Sequence, residues 1–269
     1  MKRVMLYFGS FNPIHRGHIA LAEYVLDRQL CDQVVVVVSP RNPHKPQSEL
    51  AAETDRFEMV EIACAASRYP DKIQASVIEF LLDRPSYTIN TLRHLSENYG
   101  EGMAFSILMG GDIIPKFDTW RNYEEIMANY PIFVYPRRGQ RVDLYLDRIT
   151  LLNGAPLQNF SSTDVRQALI DGEDVDAMLQ AEVVKYIKNK RLWPAKGELA
   201  ELNAAVLADP SVMNYAARGK FYYRKNNFGK ALNDFNRALS LDASNVEATE
   251  FKRMIEEIFV FRNVDIYNP

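Results

Sequence analysis

Cysteine is almost missing from this chain: Cys31 and Cys64 are the only two in 269 residues. Neither sits in a metal-binding or redox spacing, so a disulfide scaffold is excluded and two reduced core thiols are expected. Long apolar runs are missing too. The longest strongly apolar stretch is Val34–Val38, far short of the ~20 residues that span a bilayer. The apolar segment Val4–Phe8 runs straight into a polar turn rather than a signal-peptide cleavage site. These absences predict a soluble, cytoplasmic protein with no membrane partner. Charge of one sign is also lacking, with 32 Lys+Arg against 35 Asp+Glu and a net charge of -3. That balance leaves no electrostatic footprint for a nucleic-acid duplex, so any anion must be held by a local site. What remains is ordinary globular material, 47% hydrophobic and 25% charged, sufficient for a core. The length suits one large domain with an appendage.

Hydrophobic patterning gives the organisation. Residues 3–8 read as a buried strand, and 19–29 as a helix with Leu21, Tyr24, Val25 and Leu26 at helical spacing. The run QVVVVV (33–38) reads as a strand covered on both faces. A Pro-rich polar loop (39–53) follows, then a helix capped by Thr54 and reaching about Ser67. Further strands are predicted at 72–77, 104–109, 131–135 and 149–152, with helices at 87–99 and 122–128, and helices dominate after Thr163. Alternating strands and helices imply an α/β fold with a doubly wound parallel sheet and right-handed crossovers. Ligands then bind at the carboxyl ends of the strands, where 9–18, 39–46 and 110–121 are predicted to lie.

The composition changes near Trp193–Gly197, which divides the chain into a main domain (1–195) and a small all-α helical extension (196–269). Residues 212–245 resemble one tetratricopeptide-type repeat, with Tyr215, Gly219 and Tyr222 spaced as in its first helix and Ala231, Phe235 and Ala238 as in its second. Arg218 stands where Leu is usual, and Ala243 where Pro is usual. A single repeat with half-repeats at 198–208 and 246–261 needs further packing to be stable. A protein partner or self-association through 198–269 is one expectation for it, and a purely stabilising extension the other.

The turn GSFNPIHRGH (9–18) carries the most information. Gly9 permits a close backbone approach or positive φ. His15 and His18 are three apart at a helix start, so they share a face, and Gly17 lies between them. A helix N-terminus favours a phosphate, to whose oxygens two imidazoles could donate. Half of a zinc site is a competing reading, but no third ligand is close in sequence. Purely structural histidines are another.

At these residues the chain resembles the nucleotidyltransferase superfamily bearing the HxGH motif. Further segments resemble bacterial nicotinate-nucleotide adenylyltransferases: Asn42-Pro43-His44-Lys45, Tyr87-Thr88-Ile89-Asn90-Thr91-Leu92, Gly110-Gly111-Asp112 followed by Thr119-Trp120, and Phe160-Ser161-Ser162-Thr163-Asp164-Val165-Arg166. They occur in that family's order and cover about 1–193. Asn12 stands where Asp is common, Phe160 where Ile is common, and Phe117-Asp118 where Leu-Pro is usual.

The resemblance implies a Rossmann-like fold and adenylyl transfer from ATP to nicotinate mononucleotide. His15 and His18 would be catalytic. Gly9, Ser10, Phe11, Gly110, Asp112, Ser161, Ser162, Thr163 and Arg166 would bind ATP together with the histidines. Asn12, His44, Lys45, Tyr87, Thr88 and Trp120 would bind nicotinate mononucleotide. Mg²⁺ would arrive on ATP, with no protein metal site. Transfer to another phosphorylated acceptor, nicotinamide mononucleotide being the nearest, is the alternative. A non-catalytic nucleotide sensor is a further one.

Overall fold

Six strands pair in parallel throughout one sheet: β1 (Lys2–Gly9), β2 (Gln33–Val38), β3 (Ile73–Ser76), β4 (Met103–Gly110), β5 (Ile132–Tyr135) and β6 (Thr150–Leu151). Their spatial order is β3-β2-β1-β4-β5-β6. This is a computed structural model that describes residues 1–40, 50–83, 85–137, 141–157 and 159–264, with side chains described to 258. The order reverses between β1 and β4, and the loops leaving their carboxyl ends open a crevice there. Valines occupy five successive positions of β2 and are buried at four of them, as a strand covered on both faces requires.

The connecting helices are α1 (Arg16–Asp27), α2 (Glu53–Ala65), α3 (Ile78–Leu81), α4 (Thr88–Tyr99), α5 (Tyr123–Asn129), α6 (Ser162–Ile170) and α7 (Ala181–Lys190). On one side of the sheet, Leu6, Ile107 and Val134 pack with Ile89 and Leu92 of α4 and Ile126 of α5 in a single core cluster. The sheet and its flanking helices are the doubly wound architecture predicted from the sequence. Three local details differ. Helix α1 begins at Arg16, because His15 supplies the extended N-cap. Helix α2 begins at Glu53, so Thr54 lies inside the first turn rather than capping it. The short helix α3 and a 3₁₀ turn at Ile114–Thr119 were not expected from periodicity, being too short to show it.

The chain divides into two compact units: residues 1–166 with 175–192, and residues 167–174 with 193–269. The second contains α8 (Glu198–Ala208), α9 (Val212–Arg224), α10 (Phe228–Leu241) and α11 (Val246–Val264). Its core joins Leu199, Tyr222, Phe228, Ala231, Phe235, Ala238, Ala248 and Ile255. A Cβ on Gly219 would lie 2.8 Å from the Phe235 ring, so glycine is what lets that ring approach α9. Arg218 is explained by its partners: it donates to both Asp234 carboxylate oxygens at 2.7 and 2.8 Å and to Asn203 Oδ1 at 2.9 Å. A buried carboxylate on α10 therefore takes the place of an apolar contact at this position. Among the described residues no helix is long and apolar enough to cross a membrane.

Candidate active site

The turn after β1 folds back on itself. Phe11 adopts a left-handed backbone (φ 44) and its buried ring lies under Gly9, where a Cβ would come within 2.9 Å of the ring edge. Gly9 thus serves a close approach by Phe11 and does not itself carry positive φ. The Phe11 ring meets His18 edge-on, with centroids 5.1 Å apart. His15 and His18 stack at 3.6 Å with planes 23° apart. The His15 backbone N–H donates to His18 Nδ1 at 3.1 Å. Neutral His18 therefore carries its proton on Nε2, which makes that edge a donor.

His15 is 4% exposed. Burial, with help from the nearby Arg137 charge and against Asp164, pulls its pKa down to about 4. It is a neutral imidazole at neutral pH. Its Nδ1 is buried without a hydrogen-bond partner. Such an atom costs about 1–3 kcal/mol until a ligand or solvent satisfies it.

Helix α6 closes the turn from the far end of the sequence. Ser162 Oγ donates to Pro13 O at 2.8 Å, and Arg166 donates to Asn12 O at 2.8 Å. Phe160 packs edge-on against His15, at 5.2 Å between ring centroids. The Ser161 backbone N–H and hydroxyl both donate to Asp164 Oδ2 at 2.7 Å, which pulls the Asp164 pKa down. The expected anion-binding start of α6 is therefore placed beside the histidines. The predicted role of Arg166 acquires a second part, since the same guanidinium also supports the turn and reaches Thr163 Oγ1. Asn12 is buried, and its side-chain carbonyl accepts from the Ala51 N–H at 2.9 Å. Its side chain therefore shapes the loop.

At the ends of β4 and β5 the sequence reading missed a polar chain. Asp112 pairs with Arg137 Nε at 3.2 Å, Arg137 donates to Tyr135 OH at 3.2 Å, and Tyr135 OH meets Tyr7 OH at 3.1 Å. A Cβ on Gly110 would collide with Asp112 Oδ1 and crowd Arg137 and Tyr135, so this glycine makes room for the chain. Burial raises the Tyr7 pKa well above the usual phenol range, keeping it protonated. Arg137 shares one cleft with His15, Gly17, His18 and Phe160. The detectable signal for Arg137 was its position directly after a predicted strand. Among the described residues no three His, Cys, Asp or Glu side chains are grouped to hold a metal. The donors gathered here are imidazoles, hydroxyls and guanidinium groups, suited to phosphate oxygens.

A second group lies at the start of α4 and in the loop after β4. Tyr87 is the N-cap of α4 and provides no side-chain cap, so the helix start offers backbone N–H groups. Thr88 is the first residue of that helix. The Arg121 guanidinium lies 4.9 Å from the centre of the Tyr87 ring, a cation that sequence spacing did not single out. Trp120 leans on buried Phe117 at 5.3 Å. This aromatic support occupies the position where the sequence departs from Leu-Pro. His44 and Lys45 lie outside the described residues.

Residues 6–168 match the cytidylyltransferase-like family. The chain is 37% identical over 194 residues to a probable nicotinate-nucleotide adenylyltransferase of Flavobacterium johnsoniae, covering 71% of this chain and 98% of that one. It is 39% identical over 183 residues to the protein of the same name in Bacteroides fragilis, covering 68% and 89% respectively. The fold matches a nicotinic acid mononucleotide adenylyltransferase of Plasmodium falciparum complexed with NaAD, at a TM-score of 0.62 and 19% identity over 72% of this chain and 98% of that one. With the HxGH turn, the α6 start and the parallel sheet in place, the chain belongs to the cytidylyltransferase-like family and, within it, to the nicotinate-nucleotide adenylyltransferases.

Proposed function

We propose that this protein transfers the adenylyl group of ATP to nicotinate mononucleotide, yielding nicotinate adenine dinucleotide and pyrophosphate in the cytoplasm. The observation that carries the reading is the stacked His15–His18 pair at the start of α1, with His15 held neutral and His18 offering Nε2–H. The acceptor's 5′-phosphate attacks the α-phosphorus of ATP in line, and the bond to the β,γ-pyrophosphate breaks. A phosphate is already an anionic nucleophile, so the reaction needs positioning and charge stabilisation more than a general base. His15 and His18 donate to the phosphate oxygens as charge shifts to the leaving pyrophosphate. The α6 start (Ser161, Ser162, Thr163) and Arg166 take the polyphosphate, with Arg137 opposite. Gly9, Ser10, Phe11, Gly110 and Asp112 line the ATP side. ATP enters as its Mg²⁺ complex, with the cation on the substrate and waters completing its shell.

For the acceptor, we assign the nicotinate ring to Trp120 and its carboxylate to the start of α4 at Tyr87 and Thr88, with Asn12, His44 and Lys45 on the mononucleotide side. Pyrophosphate release from MgATP tests this, with nicotinate and nicotinamide mononucleotides offered separately. Strong preference for the nicotinate form is expected. Release with neither would send the acceptor assignment to another phosphorylated compound.

We further propose that 1–195 carries the catalysis and that 198–269 serves self-association or the docking of a protein partner. Leu207 (87% exposed) and Met213 (73%) favour this role, as large apolar side chains left in solvent. Light scattering on the full chain and on L207D tests this. Dissociation of an oligomer supports self-association, whereas a monomeric parent leaves partner docking or a purely stabilising extension.

A further inference from the structure

Among the described residues, the largest fully buried side chain is a charged one, Arg56 on α2, at 0% exposure. Its guanidinium reaches four backbone carbonyls. Nε donates to Ala51 O at 3.2 Å, one terminal nitrogen to both Ser10 O and Ser39 O at 2.7 Å, and the other to Pro40 O at 2.8 Å. These oxygens belong to three separate segments: the turn after β1, the end of β2 and the entry to α2. Burial works against its charged form while Glu53 favours it, and guanidinium stays protonated regardless.

The segments that Arg56 joins are the ones that hold the histidine turn. Ala51, whose carbonyl Arg56 holds, donates its own N–H to Asn12 Oδ1. Ser39 N–H donates to Gly9 O at 2.8 Å. Ser39 is also tied through its hydroxyl to buried Glu79, which accepts from Thr91 Oγ1 at 3.2 Å. Residues 9–12 are thus fixed on the α2 and β2 side through Arg56, and on the α6 side through Arg166. His15 follows three residues later.

We propose that Arg56 is a positioning residue for nucleotidyl transfer. By binding the Ser10, Ser39, Pro40 and Ala51 carbonyls together, it sets the turn from which His15 and His18 face the reacting phosphates. It touches no substrate. Lysine keeps the charge but has no planar fork and cannot span four acceptors in these directions. Displacing an aligned donor by about 1 Å is enough to cost about a hundredfold.

The kinetic part rests on the function proposed above, so a second readout is independent of turnover. In R56K, kcat should fall at least about tenfold while the ATP KM changes less than about threefold, the pattern of an interaction that counts mainly in the transition state. Turnover by the unsubstituted protein tests the function, and the ratio of the two tests Arg56. Without any substrate, imidazole ¹⁵N shifts of His15 and His18 should move in R56K while those of His94 stay. R56Q replaces R56K should the latter lack a cooperative melt. Unmoved imidazole shifts, or a kcat within about twofold of the parent, would overturn the proposal. Failure of both variants to fold would also overturn it, by making Arg56 a folding residue.

Discussion

The histidine pair shows how one residue's environment decides its chemistry. His18 is fixed as an Nε2 donor by a backbone N–H, and His15 is kept neutral by burial. H18A should lower kcat at least about a hundredfold, the effect of losing one oxyanion donor, with its thermal melt retained. A near-parental rate from the folded variant would remove His18 from the reaction. The pH dependence of stability follows from His15. Its folded pKa of about 4 lies below the ordinary imidazole value of 6.5, so the unfolded chain binds the proton more readily. Stability is full above the unfolded pKa and falls as pH drops from 6.5 towards 4, by about 3 kcal/mol for this residue. Denaturant titrations across that window check it: H15N should flatten the slope relative to the parent. Bound polyphosphate would shift the balance the other way, so MgATP binding below pH 6.5 should be accompanied by proton uptake.

At the scale of elements, helix starts do much of the work. Both α1 and α6 present their N-termini at one end of the sheet, and hydrogen bonds from Ser162 and Arg166 lock α6 onto the turn that leads into α1. The start of α4 has a different neighbour, since Arg121 lies over the Tyr87 ring and adds a positive charge to an N-terminal helix end. A carboxylate gains from both. Arg121→Ala should therefore raise the KM for nicotinate mononucleotide several-fold and leave that for ATP unchanged. It should also narrow the preference over nicotinamide mononucleotide, whose amide carries no charge. Equal effects on both mononucleotides in competition assays would remove Arg121 from carboxylate recognition. The starts of α4 and α6 were legible in the sequence because Pro, Ser and Thr punctuate them, whereas α1 begins three residues before its apolar spacing. The guanidinium groups were not, since an Arg on a helix or after a strand has the same local pattern whether solvated or buried.

At the scale of the molecule, the chain forms two compact units. The second is organised about the close approach of Phe235 to Gly219 and the pairing of half-buried Arg218 with buried Asp234. Gly219→Ala places a methyl within 2.8 Å of that ring, and overpacking of this kind costs about 1–3 kcal/mol. Under the proposal that catalysis resides in 1–195, this variant should melt earlier yet retain the parental kcat at temperatures where it remains folded. A parallel loss of kcat would give the helical unit a part in catalysis.

The sequence by itself determined the alternating architecture, the all-helical character of the C-terminal region and the histidine turn. Each of these is written in local order: apolar spacing specifies strand or helix, and residues three apart on a helix share a face. Tertiary structure decided the rest. Arg166 meets Asn12 across 154 residues and Arg56 meets Ser10 across 46. The Asp112–Arg137–Tyr135–Tyr7 chain likewise exists only because β1, β4 and β5 lie side by side. Such contacts depend on which strands become neighbours, and so does the displacement of water that makes a buried guanidinium a framework rather than a surface charge. No spacing along the chain encodes either one.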